Sequence, residues 1–191
     1  MVKVSRTRVR VIAAAGMAAV AAAVGGVTVQ ASAAEVDRPG IPVPPIPEAI
    51  KPPAGSTLVG TFRVTTGVQT YTCVVPAAGG PGAYTGRSVP EARLAGAGGT
   101  IHHFAGPSWQ SNRDGSLGTA AVDKLSTRAG TIPELLLKVT KHEGSGLLDQ
   151  ADLINRLATS GGVAPTGPCA AGETVSVRYG ATYVFWDDPA V

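Results

Sequence analysis

The sequence lacks the residue patterns that enzymes most often use for covalent or metal-assisted chemistry. A nucleophile elbow needs a serine in G-x-S-x-G, but Ser145 has Glu143 where the first glycine should stand. A zinc protease motif needs H-E-x-x-H, but His142-Glu143 is followed by Gly144-Ser145-Gly146-Leu147. With neither pattern present, we predict no metal site and lean away from an enzyme.

Signals for nucleotide cofactors are absent as well. A prominent glycine-rich run, Gly96-Ala97-Gly98-Gly99, does not match G-x-G-x-x-G, and the sequence has no Walker pattern. No strand–helix–strand unit surrounds this run, as a dinucleotide site would require. We therefore expect no cofactor.

The surplus of basic residues is confined to the first segment of the chain. The sequence has 16 basic and 13 acidic residues, but residues 1–33 contain four of the basic ones and no acidic one. The remaining chain has 12 basic and 13 acidic residues, a net charge of −1. No basic surface is left that would predict a nucleic acid or an anionic membrane as a partner.

Residues 1–33 have the three parts of a secretory signal peptide. A basic start is followed by an apolar, alanine-rich run over 11–29 and by the small-residue cleavage box Ala31-Ser32-Ala33. The alternative is an uncleaved membrane anchor, but alanine and glycine dominate the run and the cleavage box follows directly. We predict a signal peptide over 1–33, a proline-rich linker over 34–52 and a secreted β domain over 53–188, with no stable membrane span after cleavage.

The sequence contains only two cysteines, and both lie in the exported part. An even number of cysteines in an oxidising compartment favours a disulfide between Cys73 and Cys169 over two buried free thiols. In the chain-entropy model, closing so long a loop stabilises the fold by about 4–5 kcal/mol.

Apolar and polar residues alternate with a period of two over much of the domain, which predicts strands. Ser56 to Val75 predicts a hairpin whose two strands are separated by Gly67, and residues 77–99 predict a glycine-rich loop with at most a short strand near 84–89. Further strands are predicted over 100–104, 108–111, 117–125 and 173–186, and in the last of these Gly180 permits a bulge.

Two segments allow both a strand and a helix. Leu135-Leu136-Leu137, within 134–140, suits a strand that is buried on both faces or a short helix. Residues 147–158 would place apolar side chains on one helical face, whereas a strand would cover only 152–159. The whole pattern predicts an all-β, mainly antiparallel single domain, a sandwich or small barrel with long Gly/Pro-rich loops and at most one short helix.

Several short motifs between Pro47 and Trp186 occur in a specific order. They are Gly67-Val68-Gln69-x-Tyr71-x-Cys73, His103-x-x-Gly106-Pro107-x-Trp109, Asp114-Gly115-Ser116, Leu135-Leu136-Leu137-Lys138, Ile154-Asn155-Arg156, Gly161-Gly162 with Pro165 and Cys169, and Tyr179-x-Ala181-x-Tyr183-x-Phe185. In this order the chain resembles DUF3455, an exported bacterial and fungal family of domains of unknown function. The resemblance implies secretion and a mainly β domain, and it favours the strand over 152–159. It supplies no established activity, ligand or catalytic residue.

The stretch from His102 to Trp109 holds the strongest candidates for a site. Neighbouring residues of a strand point to opposite faces, so His103 shares a face with Ile101, and His102 shares the other face with Phe104. One of the two histidines could act as a general base or a metal ligand, together with His142. The alternative, which we favour, is a half-buried structural histidine that is hydrogen-bonded to the backbone.

Other polar and aromatic residues have structural interpretations of the same kind. Asp114 could be a functional acid, but Asn112-Arg113-Asp114-Gly115 is a sufficient turn by itself. Aromatic residues could stack on sugars, although core packing is the more common role. They are Tyr71, Tyr84, Trp109, Tyr179, Tyr183 and Trp186. Trp109 is the best platform candidate, because the turn at Gly106-Pro107 would place it at the edge of a loop.

We therefore expect a secreted, disulfide-bonded β domain that acts by binding an unknown ligand at the cell envelope or outside the cell. The predicted binding residues are His103, Gly106, Pro107 and Trp109. The alternative is a secreted hydrolase or metal-dependent enzyme that uses His102 or His103, with Asp114 or Glu143 as the partner. A third hypothesis is a purely structural envelope protein.

Overall fold

A computed structural model describes residues 40–85 and 88–190. The predicted signal peptide, 1–33, and the first residues of the predicted linker lie outside the described residues. Within the described ranges, the structure contains no helix of sufficient length and hydropathy to span a bilayer.

The described chain forms eight antiparallel strands in which each strand pairs with the next. The eighth strand pairs with the first, so the sheet is a closed barrel. Helix in these ranges is limited to two 3-10 turns, Glu48–Ile50 and Leu148–Gln150. The strands are β1 Thr57–Thr72, β2 Val89–Gly96, β3 Gly99–Phe104, β4 Ser108–Ser111, β5 Leu117–Ser126, β6 Glu134–Glu143, β7 Leu153–Gly161 and β8 Thr174–Asp187. The predicted all-β antiparallel class is confirmed, and of its two architectures the structure shows the barrel.

Alternation along the strands fills the barrel with apolar side chains. Phe62 of β1 packs edge to face on Phe185 of the neighbouring strand β8, with ring centroids 5.6 Å apart, and Trp109 of β4 meets Phe185 from the opposite side at 6.4 Å. Trp109, Tyr183 and Leu94 belong to the same buried cluster. An eight-stranded barrel is just wide enough for side chains to fill, and these residues pack together as a core.

A second apolar cluster lies on the outside of the barrel. Its members are Leu136, Leu153, Leu157 and Val184, and it is covered by Val43, Ile46 and Ile50 of the N-terminal segment, together with Trp186. We call residues 43–50 the strap. This cover explains the three consecutive leucines of β6: Leu135 and Leu137 belong to the inner cluster and Leu136 to the outer one, as the prediction of a strand buried on both faces requires.

Asn155 of β7 fastens the strap to the barrel wall. Its Nδ2 donates to the carbonyl oxygens of Ile50 and Leu135, at 2.9 and 3.0 Å. Its Oδ1 accepts a hydrogen bond from Nε1 of Trp186 at 3.0 Å. Because Asn155 is fully buried, every one of these bonds replaces a bond to water that the amide cannot make.

The predicted hairpin over 56–75 is wrong, because β1 is a single strand of 16 residues. Gly67 lies inside it, just beyond a register shift between Val64 and Thr66. A Cβ at position 67 would come within 2.8 Å of the Tyr179 ring and of Val64 Cγ1. Gly67 therefore marks a close approach of side chains at a bulge rather than a turn.

The predicted loop over 77–99 is also wrong in its second half, because it contains β2. The small residues that obscured this strand are required by packing. Ala92 lies in the inner cluster, and a Cβ at Gly96 would come within 2.3 Å of the carbonyl oxygen of Thr61. The wall between β1 and β2 has no room there for the large apolar residues that signal a strand.

The bulge that Gly180 permits is not found on β8. Gly180 pairs with Ser160, and the extra residue lies on the partner strand β7, between Leu157 and Ser160. There Ala158 has a positive φ of 47°, and its N–H donates to Glu134 Oε1 at 2.7 Å. The carboxylate thus accepts a hydrogen bond from a backbone N–H that the irregular pairing of β7 with β8 leaves without a strand partner.

Two further predictions are confirmed. Cys73 and Cys169 form a disulfide, with their Cα atoms 6.0 Å apart, and it joins the chain just after β1 to the loop before β8. In the segment 147–158, the strand favoured by the family resemblance is present as β7, preceded by the 3-10 turn at Leu148–Gln150.

Candidate functional site: a cavity at the short side of the barrel

A cavity of about 970 Å³ enters the barrel where its wall is shortest. β4 has only four residues and pairs with β5 over Leu117–Thr119, whereas β5 continues to Ser126. The turn between β3 and β4 therefore forms a low rim beside the extended part of β5. The four predicted binding residues, His103, Gly106, Pro107 and Trp109, all line this cavity.

Gly106 and Pro107 shape the rim. Gly106 has a φ of 100°, a left-handed conformation that side chains disfavour, and it turns the chain back from β3 to β4. The carbonyl oxygen of Pro107 accepts the N–H of Ala120 at 3.1 Å, which ties the turn to β5. Ala105, Ala120 and Ala121 line the cavity nearby, and their small side chains leave its mouth open.

His103 lies at the base of the cavity and is only 2 % exposed. Its ring stacks on Trp109, with centroids 4.3 Å apart and an interplanar angle of 6°. Nδ1 donates to the carbonyl oxygen of Ser108 at 2.9 Å, so the neutral ring carries its proton on Nδ1. Burial lowers the pKa of His103 to about 3, and the side chain is neutral near pH 7.

Trp109 points into the barrel, and the expectation that it stands at an exposed loop edge is wrong. It is 1 % exposed and meets the rings of Tyr183 and Phe185 at centroid distances of 5.7 and 6.4 Å. The reason is that β4 resumes directly after the turn and directs the indole inward, opposite His103 in register. Its Nε1 is buried and finds no hydrogen-bond partner in the described ranges.

Polar groups contributed by β1, β7 and β8 surround this aromatic stack. Arg156 donates from Nε and Nη2 to the carbonyl oxygen of Pro133, at 3.1 and 2.9 Å. The hydroxyls of Tyr179 and Tyr183 lie 3.3 Å apart, and burial raises the pKa of both phenols, so that both are neutral near pH 7. Gln69 accepts a hydrogen bond from the Ser88 hydroxyl at its Oε1.

The mouth of the cavity is apolar even though it faces solvent. Val89 is 49 % exposed, and Val122 and Leu125 are each 53 % exposed. All three line the cavity, and they are among the few large apolar side chains that the described ranges leave in water. A concentration of exposed apolar residues at a concave surface is typical of a binding site.

The other histidines are engaged elsewhere. His102 lies on the outer face, as strand alternation predicts, where Nε2 meets Glu91 Oε1 at 2.6 Å and the ring packs on Phe104. His142 bonds through Nε2 to the carbonyl oxygen of Ala151 at 2.8 Å. In the part of the chain that the structure describes, no group of three or more His, Cys, Asp and Glu side chains is arranged to hold a metal ion.

The acidic residues predicted as catalytic partners do not contact either candidate histidine. Asp114 accepts hydrogen bonds from the Ser116 hydroxyl at 2.6 Å and from the N–H of Leu147 at 3.1 Å. These hydrogen bonds lower the pKa of Asp114 to about 2, and the bond from the Ser116 hydroxyl has the largest effect. Glu143 pairs with Lys141 at 2.7 Å. The geometry at Asp114 fits the turn interpretation.

The six aromatic residues do not form one platform. Tyr71, Tyr179, Tyr183 and Trp109 are buried, and the Tyr71 hydroxyl donates to the carbonyl oxygen of Gly162 at 2.6 Å. Trp186 belongs to the outer cluster under the strap. Core packing accounts for most of them, and only Tyr71, Trp109 and Tyr183 also line the cavity.

Sequence reasoning missed Arg156 and the residues of the apolar rim. Arg156 follows Ile154 by two positions in β7, and Ile154 is a member of the inner cluster. A charged residue that occupies an inward position of a buried strand is the signal that could have identified it.

The fold and the site define a small antiparallel barrel domain with a cavity at one side. A family model described as a protein of unknown function, DUF3455, matches residues 82–187, which is more than half of the chain. The chain belongs to this family, and the resemblance seen in its motifs is confirmed. No curated protein and no solved structure gives a significant match.

Proposed function

We propose that this domain is exported and binds a small molecule with an apolar body in the cavity of the barrel. The observation that carries the proposal is the cavity itself, about 970 Å³ in volume and bordered by solvent-exposed Val89, Val122 and Leu125. Small-molecule sites are typically clefts of about 300–1,000 Å³ that are lined mainly by apolar and aromatic residues.

The energetics of the rim favour an apolar ligand. Each square ångström of apolar surface removed from water contributes about 25 cal/mol. A ligand that covers Val122 and Leu125 gains this contribution from the protein side chains and again from its own apolar surface. The site is preformed, because the disulfide-bonded barrel holds the rim without any strand having to move.

The proposal includes export and cleavage. Residues 1–33 have the pattern of a signal peptide, and a disulfide between Cys73 and Cys169 fits an oxidising compartment. The secreted β domain over 53–188, with the strap of the proline-rich segment 34–52 packed on it, would then meet its ligand at the cell envelope or outside the cell.

The alternative enzyme, a hydrolase or metal-dependent activity at His102 or His103, has less support. His103 is held neutral against the Ser108 carbonyl, and His102 pairs with Glu91 on the outer face. Neither ring contacts Asp114 or Glu143, the acids that would have served it.

Energy transfer from tryptophan to a neutral apolar probe tests the binding proposal. N-phenyl-1-naphthylamine is titrated into the exported protein, and saturable binding with energy transfer from Trp109 is expected. Trp109→Phe removes the tryptophan that lines the cavity and should reduce the transfer at saturation, while Trp186 in the outer cluster supplies the remainder.

A matched pair of surface variants supplies the control. Leu125→Glu places a charge on the rim and should weaken probe binding by about tenfold or more. Leu58→Glu changes a side chain of the same type and the same 53 % exposure outside the cavity lining, and it should leave binding unchanged. Binding that does not saturate, or an equal loss in both variants, would refute the proposal.

A further inference from the structure

We propose that the ligand of the cavity is an amphiphilic carboxylate, whose anionic group is held by Arg156 and whose apolar part lies along Val122 and Leu125. The inference rests on the proposed function, because it names the chemical class that the same cavity would take. It goes further in assigning the role of anion receptor to Arg156.

Arg156 brings a permanent positive charge to the cavity. A guanidinium remains protonated in proteins, and this one is partly buried in the wall of the cavity. In the described ranges, no carboxylate lies within ion-pair distance of it. Its Nε and Nη2 donate to the carbonyl oxygen of Pro133, and the guanidinium also lies beside the Tyr183 hydroxyl. Part of the N–H fork is therefore left for a ligand, and a carboxylate matches that fork in geometry and charge.

No other described residue that lines the cavity offsets this charge. Of the described residues that line it, Arg156 is the only charged one and none is acidic. His103 and Tyr183 are neutral near pH 7 because burial shifts their pKa values away from neutrality. The described lining of the cavity therefore carries one net positive charge, and its apolar walls screen that charge less than bulk water would.

The indole of Trp109 adds a hydrogen-bond donor to the site. Its Nε1 is buried and has no hydrogen-bond partner among the described residues, and Trp109 lines the cavity. An indole N–H can only donate, as can a guanidinium. Unsatisfied buried donors call for an acceptor, and a ligand oxygen near Arg156 and Trp109 would supply one.

The apolar lining of the cavity indicates the chemical nature of the rest of the ligand. Val122, Leu125 and Ile132 line the cavity, together with Leu135 and Leu137 from β6. A small hydrophilic anion such as acetate would leave these side chains uncovered. The combination of one cation with a long apolar lining fits a molecule that has one carboxylate and an extended or ring-containing hydrocarbon body.

The test compares dodecanoate with dodecanol, which have the same hydrocarbon chain and differ in the charge of the head group. Each displaces N-phenyl-1-naphthylamine from the exported protein near neutral pH. We expect dodecanoate to bind at least about tenfold more tightly, since hydrogen bonds to charged groups are the strong ones. Arg156→Met should abolish this preference and leave the affinity for dodecanol within about twofold of the wild type.

Two further variants keep the result interpretable. Arg178→Met removes an exposed arginine of β8 outside the cavity lining and should retain the full preference. Arg156→Lys keeps the charge but loses the planar fork, and it should retain part of the preference. If Arg156→Met does not fold, as judged by its circular dichroism, the comparison of Arg156→Lys with wild type decides.

The outcomes separate the two proposals. If wild type binds both compounds equally, or if Arg156→Met (or Arg156→Lys, when it decides) keeps the full preference for dodecanoate, the carboxylate inference is overturned and the apolar cavity stands. If neither compound nor the probe binds saturably, both proposals fail.

Discussion

The buried imidazole of His103 makes a specific prediction about acid stability. Burial lowers its pKa from 6.5 to about 3 in the folded protein. Above pH 6.5 the ring is neutral in both states and contributes nothing to the pH dependence. Below pH 6.5 the unfolded chain binds a proton that the folded barrel does not, so the free energy of unfolding falls as the pH falls.

The size of the effect follows from the shift. Each unit of pH below the unfolded pKa costs about 1.4 kcal/mol as long as the folded ring stays neutral. Between pH 6.5 and about pH 4.5 the wild type should therefore lose about 2–3 kcal/mol through His103 alone, and about 4–5 kcal/mol by pH 3. Carboxylates add their own acid dependence, which a difference between variants removes.

Urea unfolding of wild type and His103→Phe, followed by circular dichroism across this pH range, measures that difference. Phenylalanine keeps a ring against Trp109 but has no proton to gain. Near neutral pH the variant should be less stable, because the hydrogen bond to Ser108 is lost, and the gap should close or reverse toward pH 4.5. Tyr183→Phe alters the same aromatic contact without removing a group that titrates in acid, and it should follow the wild-type slope.

Parallel pH profiles for wild type and His103→Phe would refute this reasoning. They would mean that the folded protein accepts a proton on His103 without cost. The ring would then have to be reached by water, and the account of a neutral, closed base of the cavity would be wrong.

Three other changes test the wall of the barrel. Asn155→Leu removes the three hydrogen bonds that join the strap to β6 and β8. It should lower the free energy of unfolding in urea by about 2–4 kcal/mol and speed proteolysis of the strap, and an unchanged unfolding midpoint would contradict this role. The double change Cys73→Ser and Cys169→Ser should cost about 4–5 kcal/mol, and a midpoint equal to that of oxidised wild type would show that loop closure contributes nothing. Gly96→Ala should cost about 1–3 kcal/mol, because its Cβ would meet backbone at 2.3 Å, whereas Gly40→Ala, with open space around it, should be neutral; equal behaviour of the two would remove the steric argument.

The parts of the fold that could be predicted are the strands in which apolar and polar residues alternate without interruption. In β3 the sequence puts Ile101 and His103 on one face and His102 on the other, and the structure does the same. The three leucines at 135–137 also carried enough information to suggest a strand buried on both faces. The predicted export and the even number of cysteines were sufficient to predict the disulfide, without any knowledge of strand order.

The failures have a common physical cause, the curvature of the barrel. Closing eight strands requires bulges and places where two strand backbones come close together, and both use glycine or alanine. Gly67 and Gly96 look like turn residues in the sequence, although one lies beside a bulge and the other in tight packing against β1. Local patterns cannot tell these roles apart, because the contacting atoms belong to distant parts of the chain.

The candidate site was only partly predictable for a related reason. His103, Gly106, Pro107 and Trp109 are close in sequence, and a turn was enough to bring them together. Arg156 reaches the same cavity only because β7 is a neighbour of β8, which carries Tyr183. The rim residues of β5 are exposed because β4 is short, a property of the whole sheet rather than of their own sequence.

The pairing of β1 with β8 has a consequence for the order of folding. Leu58 pairs with Trp186, and the strap likewise packs on β6, β7 and β8, so the first described elements are completed by the last. Contacts of such long sequence separation form slowly, since much of the chain must be ordered before they contribute. During synthesis the amino end of the chain emerges first, so the apolar faces of β1 and the strap stay exposed until β8 has been made. Chaperones that prevent nascent chains from aggregating should therefore affect the yield of folded domain more than its final stability.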